Sequence, residues 1–536
     1  MTSYDQTFRP ADRPADRPAN HPAFRTAAPA EAGVHAGRVR RFLAELHRRA
    51  LPLHSLLLYR SGRVVAEHYW WPYRADRPHM MHSATKSFTG TAVGFALAEG
   101  RLRLADPVVS FFADQVPASA SVPGSEPLRA MTVGDLLTMR TGHRVGLSGK
   151  TWRLIDTSWV AEFLAAEVPD PPGRRFTYSS ATSHVLSAIV ARATGETVAD
   201  YLRPRLFEPL GFAAHTWDTD PEGYSSGGNG LSLRSVDFLK WGVLHLHDGW
   251  WQGRRVLPEG WVARATTAWV HGASSGTWDG TRYLPVEPGG AGSDRGYGYQ
   301  VWLGPGDSYY ASGMFGQDCV VLPRQDAAIA LTAAIPGGRH QELSELVYEL
   351  LVPAFDGPGS AADDRRLAEE LATVAEPPVP APPVVPAVDV AGRAYRCDPN
   401  EDGVTGLRFD LAGDELAVTL TDSRGTHRVP CGLTGWTESA STVTSWRLHH
   451  SYQPPRQQML CGARWRTPRT LTLDWYFVES PFHDTVTVEF LPGDRLRWAR
   501  SVNVNSGPTT RPPITATATP EPTPEPTPEP TPEPPA

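Results

Sequence analysis

Apolar and polar positions alternate or cluster along the chain in a way that divides it into two parts. In the first, Ser55-Leu-Leu-Leu-Tyr-Arg, a Ser61-Gly62 break and Val64 to Trp70 predict a β-hairpin. From Ser83 to Glu99 there is no proline, apolar and small residues occupy most faces, and Gly100 follows. That pattern predicts a buried helix with a glycine stop. Further helices are predicted over Val133–Met139, Ser183–Ala193 and Ser235–His245. Tyr309–Leu322 and Ala327–Ala334 read as strands joined by a turn at Pro323-Arg-Gln-Asp. Strands at both ends with helices between them predict an α+β fold, an antiparallel sheet closed by the two ends of the region and flanked by helices. In the second part Leu416–Leu420, Leu471–Val478 and Thr485–Phe490 alternate with period two between Gly/Asp turns. About eight short strands in about 115 residues predict a small all-β, up-and-down barrel or half-barrel.

Composition sets the limits of these units. The chain has 536 residues, 40% hydrophobic, with 17 tryptophans, enough for large cores. An arm over residues 1–25 carries Arg-Pro-Ala-Asp repeats and is expected to be disordered. The α+β domain is expected over 26–375, a Pro-rich linker over 376–388, the β-domain over 389–506, and a disordered Pro/Thr/Glu tail over 507–536. The linker is expected to separate two independent cores. A net charge of −7 without a basic stripe argues against nucleic acid as a partner. No apolar run is long enough for a membrane helix, and the start lacks a secretory pattern. Cys319, Cys397, Cys431 and Cys461 are far apart in sequence with no C-x-x-C pair, so neither a disulfide framework nor a zinc site is expected. A reducing, cytoplasmic setting is the default, with no metal and no cofactor.

The scarcity of lysine sharpens the search for chemistry. Only Lys86, Lys150 and Lys240 occur. Lys86 closes Ser83-Ala84-Thr85-Lys86 at the start of the buried helix. Residues i and i+3 share a helix face, so the amine can reach the hydroxyl. Serine needs an adjacent base to act as a nucleophile, and burial lowers a lysine's pKa enough to make it one. Tyr178-Ser179-Ser180 precedes a helix after Pro171-Pro-Gly, where a phenol can project into a cleft and relay a proton. Ala311-Ser312-Gly313-Met314-Phe315-Gly316-Gln317 lies on a late strand where a glycine admits substrate and the next amide can face an oxyanion. Two G-x-S-x-G matches, around Ser225 and Ser274, sit in Gly/Ser-rich loops without the strand-turn-helix setting a nucleophile needs there. His245-Leu-His247-Asp248 ends a helix with no further ligand nearby in sequence. His82 is expected to point off the catalytic face.

In this order the motifs resemble the serine β-lactamase and penicillin-binding-protein-like superfamily, in its class C, esterase and 6-aminohexanoate-dimer hydrolase-like branch. Asp135-Leu-Leu-Thr-Met-Arg-Thr-Gly, Glu208-Pro-Leu-Gly-Phe, Asn229-Gly-Leu-Ser and Gly296-Tyr-Gly-Tyr-Gln-Val-Trp carry the likeness across about Ala27 to Pro353. The resemblance implies a β-lactamase/transpeptidase-like fold with a helical subdomain. It implies Ser83 as acylated nucleophile, Lys86 as general base and Tyr178 as proton shuttle, with the backbone N–H groups of Ser83 and Met314 as oxyanion hole. Ser180, Gly313 and His143 are expected to line the substrate cleft. Such an enzyme would act on a small-molecule ester or amide; a D-amino-acid peptidase or transpeptidase, or a silent penicillin-binding-like protein, are the alternatives. Two departures stand out. Ala311 replaces the usual cation of the third motif, and Ser180 replaces the usual Asn of the second. Both favour neutral esters over β-lactams, unless an arginine from elsewhere in the fold supplies the charge.

Overall fold

The structure, a computed structural model, describes residues 24–117, 125–147, 152–278, 283–284, 295–372, 384–444, 447–452 and 454–519. The expected arm, apart from Phe24 and Arg25, and the linker up to residue 383 lie outside them. The predicted hairpin forms as Leu53–Arg60 and Arg63–Tyr69. Its two-residue turn places Ser61 at φ +44° and Gly62 at φ +86°, the left-handed pair that matches strand twist. Ala327–Ala333 pairs antiparallel with Leu53–Arg60, Ile329 opposite Leu58, so the two ends of the domain close one sheet as expected. That sheet has nine strands and continues through Gln317–Leu322 and Tyr309–Gly313 to Val270–Ala273.

Alternation along Leu53–Arg60 feeds two cores. Leu57 and Tyr59 face one, Leu56 and Leu58 the other. Val39, Phe42 and Leu46 of helix Ala36–Arg48 cover the second face, with Leu343, Leu351 and Phe355. The first face carries helices Thr85–Ala98 and Ser235–Leu246, through Phe88, Ala92, Phe238 and Trp241. Every residue from Thr85 to Ala96 is buried, which explains a helix apolar on all sides. This is the β-lactamase/transpeptidase-like arrangement expected from the sequence.

Three expectations are corrected. The stretch Tyr309–Leu322 is not one strand: it breaks at Met314–Gly316, where Phe315 has φ +68° and Gly316 φ +93°. The β-domain is a barrel, as expected, and a closed one. Nine strands form its ring, from Ala394–Cys397 to Ile514–Ala518, closed where those two pair and where Gly432 lies beside Gly462, with Thr437–Ser441 added alongside Gln457–Thr467. Strand Ile514–Ala518 therefore lies inside the expected tail 507–536, and the domain extends beyond 506. Its alternating Ile and Ala were hidden by the prolines on either side.

Nor are the two cores separate. Met80, Phe315 and Ala334 of the first domain join the barrel's core cluster. Met80 N–H donates to Glu479 O at 2.9 Å, and the Tyr73 hydroxyl to Ser480 O at 3.2 Å. The Trp71 ring packs on Trp436 and Tyr476 at 4.7 and 5.0 Å. Among the described residues no helix is long and apolar enough to cross a membrane.

Candidate active site

The chain reaches its serine through a tight turn. Met80 leaves a short strand, His82 adopts φ +47°, and a 3-10 turn over His82–Ala84 runs into helix Thr85–Ala98. A non-glycine residue in the left-handed region costs of order 1–3 kcal/mol, so the surroundings must hold it. Ser83 is left half-exposed at the helix start, while Lys86, one turn on, is 1% exposed. The Lys86 amine lies 2.9 Å from Ser83 Oγ, 3.0 Å from Ser180 Oγ and 2.7 Å from Gly228 O.

Burial pushes the Lys86 pKa down to about 7, and the charge of Arg153 lowers it further in the same direction. A neutral amine has two N–H donors and one lone pair. Gly228 O can only accept, the Ser83 and Ser180 hydroxyls can each accept from the amine, and in its neutral form the lone pair is within reach of the Ser83 hydroxyl. The amine also sits 4.9 Å from the centre of the Tyr178 ring. That ring is wedged against Trp302 at 5.3 Å. Ser179 caps the following helix, its Oγ accepting from Thr182 N–H and donating to Leu147 O, which fixes Tyr178 before the helix and Ser180 as its first residue.

Glycines allow these elements to meet. A Cβ on Gly228 would stand 2.7 Å from Ser180 O, and one on Gly313 would collide with Met81 O. Gly313 thus lies directly against the turn that carries Ser83, bringing Met314 beside it. Gln317 holds the turn that follows, donating from Nε2 to Met314 O and Ala333 O, both at 2.9 Å.

The beta-lactamase family model matches residues 36–352, more than half the chain. The chain belongs to the beta-lactamase family. It is 26% identical over 323 residues to a 6-aminohexanoate-dimer hydrolase of Paenarthrobacter ureafaciens, covering 58% of this chain and 80% of that one. It is 33% identical over 174 residues to Esterase EstB of Burkholderia gladioli, covering 30% and 43%. Among solved structures, an octameric penicillin-binding protein homologue from Pyrococcus abyssi aligns over 90% of this chain and 99% of its own at TM-score 0.44 and 15% identity. EstCE1, a hydrolase with promiscuous acyltransferase activity, aligns over 58% and 98% at TM-score 0.47 and 17% identity.

Within the beta-lactamase fold the remaining expected residues are distributed unevenly. Ser180 and Gly313 are at the centre. His143 is 4% exposed, its Nδ1 2.9 Å from Thr141 Oγ1 and its ring on Phe163 at 4.8 Å; its contacts are wall contacts, not contacts with Ser83 or Lys86. Burial pushes its pKa down to about 4. His82 turns its ring to Phe315 and Phe482, at 5.4 and 6.3 Å. His245 and His247 face different partners, Trp241 O and Asp326. Of the lysines besides Lys86, Lys240 is paired with buried Asp237 at 2.7 Å, and Lys150 lies outside the described residues. Ala311 is fully buried in the core, and Ser312 is the half-exposed residue of that strand.

Two participants escaped the sequence. Gly228 lies in the loop dismissed as a G-x-S-x-G match, and what that loop contributes is a carbonyl rather than a nucleophile. Arg153 has no local signature, and its partner His450 is 297 residues away.

Proposed function

We propose that this protein is a serine hydrolase that cleaves a small-molecule ester or amide through an acyl group carried on Ser83. The observation that carries the proposal is the buried Lys86 amine, near neutral pKa, 2.9 Å from the Ser83 hydroxyl. Lys86 takes the hydroxyl proton as Ser83 Oγ attacks the substrate carbonyl. The backbone N–H groups of Ser83 and Met314 donate to the oxyanion that forms. The proton then passes by way of Tyr178 to the leaving alcohol or amine, and water admitted to the site releases the acid by the reverse sequence. Relatives named as an esterase and as a 6-aminohexanoate-dimer hydrolase span the two leaving-group types.

The four cysteines are free, three of them buried, which suits a reducing compartment such as the cytoplasm. A panel of p-nitrophenyl esters, linear amides and nitrocefin on purified protein tests the proposal. Turnover of an ester or amide is expected. A folded protein inert to the whole panel would favour a silent penicillin-binding-like role instead.

A further inference from the structure

Two residues in the catalytic turns hold a backbone conformation that ordinary side chains disfavour. His82 has φ +47° and directly precedes Ser83; Phe315 has φ +68° and directly follows Met314. Each therefore borders one of the two residues whose N–H groups are assigned above to the oxyanion. Neither is a glycine, and a left-handed residue with a large ring persists only where its surroundings over-determine it. The Phe315 carbonyl accepts from Ile335 N–H at 2.9 Å, which secures one side of its turn. His82 Nε2 is buried with no hydrogen-bond partner among the described residues, so no hydrogen bond at that atom fixes its ring.

What the two residues share is a side chain of the barrel. His82 and Phe315 pack edge-on to each other at 5.4 Å. The Phe482 ring meets both edge-on, at 6.3 Å from His82 and 5.9 Å from Phe315. All three residues are at most 2% exposed. Such separations suit T-shaped aromatic pairs, whose geometry is directional. Phe482 is itself fixed from behind. It closes the hairpin turn between strands Thr470–Phe477 and His483–Leu491, its carbonyl accepting from Phe477 N–H at 3.1 Å. The His449 ring stacks on it at 4.3 Å, and His449 Nε2 lies 2.8 Å from Asp484 Oδ1. Arg500 Nε donates to the other oxygen of that carboxylate at 2.7 Å. The same hairpin turn receives Met80 N–H at Glu479 O, 2.9 Å away. A chain of packed and hydrogen-bonded groups thus runs from inside the barrel to both catalytic turns.

We propose that Phe482 is a positioning residue for the oxyanion hole. Its ring locks His82 and Phe315 in their left-handed conformations, and so keeps the Ser83 and Met314 N–H groups turned toward one point. The barrel then serves catalysis through this ring without touching substrate. The inference rests on the serine-hydrolase reading above. Without the ring, His82 is free to relax out of the left-handed region, which turns the peptide unit that carries the Ser83 N–H. Phe315 relaxes in the same way, and the turn that follows Met314 loosens. The Lys86 contacts with Ser180 and Gly228 do not involve this cluster.

The test uses full-length protein and p-nitrophenyl butyrate, at a temperature well below the Tm of every variant. Phe482→Leu keeps an apolar side chain and removes the ring. Phe490→Leu is the control: Phe490 is buried in the same barrel core, and its ring packs on Tyr395, Phe409 and Trp465 of the barrel. Both variants are expected to melt earlier than wild type. Phe482→Leu is expected to lose about ten- to a hundredfold in kcat with KM within about threefold, because displaced donors act on the transition state. Phe490→Leu is expected to keep the wild-type kcat. Phenylboronic acid forms a tetrahedral adduct on a serine oxygen and places an oxygen in the hole. Its affinity is expected to fall in Phe482→Leu by a factor similar to that in kcat, and to stay unchanged in Phe490→Leu. If Phe482→Leu does not fold, His449→Gln takes its place; it keeps a donor for Asp484, removes the ring behind Phe482, and must show the same split against the control. Equal kcat in the test variant and the control, or a loss of kcat without a loss of boronate affinity, would overturn the positioning role and leave the hydrolase standing. Folded wild-type protein inert to esters, amides and nitrocefin would remove the hydrolase reading, and this inference with it.

Discussion

Gly313→Ala is the smallest change that separates the sheet from the nucleophile. The new Cβ would lie well inside 3.0 Å of Met81 O, a backbone atom that no side-chain rotation can move away. The strand and the Met81–Ser83 turn would have to part by about 1 Å to restore a normal contact. Gly313 has no positive φ, so alanine adds no backbone strain and the wedge is the whole perturbation. Overpacking of this kind costs about 1–3 kcal/mol, or about 2–5 °C in the Tm of a domain this large. Its effect on catalysis is larger, because the Met314 N–H and the Ser83 Oγ sit on opposite sides of the wedge. A misplacement of about 1 Å between reacting groups costs about a hundredfold. The assay is kcat/KM on p-nitrophenyl butyrate with a thermal melt of the same preparation. A variant within threefold of wild type at unchanged Tm would refute both the close contact and the role given to Met314.

Other outcomes follow from the same geometry. Lys86 must be neutral to accept the Ser83 proton, and its pKa is depressed to about 7 chiefly by burial. Ester kcat/KM should therefore fall about tenfold per pH unit below pH 7 and level off above it; a profile flat from pH 5 to 9 would exclude Lys86 as base. Lys86→Arg should lose at least about a hundredfold in kcat, because arginine stays protonated; full activity would end the assignment. Tyr178→Phe should lower kcat more than it changes KM, and an effect confined to KM would make Tyr178 a packing residue. A chain ending at residue 372 would expose Met80, Phe315 and Ala334, so we expect it to bind a hydrophobic dye and melt earlier; an unchanged Tm would mean the cores are independent after all.

Much of the site was legible because its signals are local. The Ser83 to Lys86 spacing lies within one helical turn, and the all-buried helix behind it and the helix after Tyr178-Ser179-Ser180 are continuous stretches of chain. The hairpin Leu53–Tyr69 follows from strand alternation and a Ser-Gly turn. What the sequence concealed is non-local. Tyr309–Leu322 is apolar enough to read through the break at Phe315, and one glycine at 316 was too weak a signal to stop it. Met80 and Phe315 look like ordinary core residues, and nothing near them says that the core they join belongs to the barrel. Arg153 is one arginine among dozens, and it gains meaning only when a segment about three hundred residues away carries His450 and Tyr452 to it.

The most direct test of the central claim is covalent. Wild-type protein is mixed with p-nitrophenyl butyrate, quenched in acid within milliseconds to seconds, digested and mapped by mass. A butyryl group on the peptide that contains Ser83, absent from a stably folded Ser83→Ala variant that also loses turnover, is the predicted result. An acyl group on any other residue, or Ser83→Ala turning over at the wild-type rate, would contradict the account.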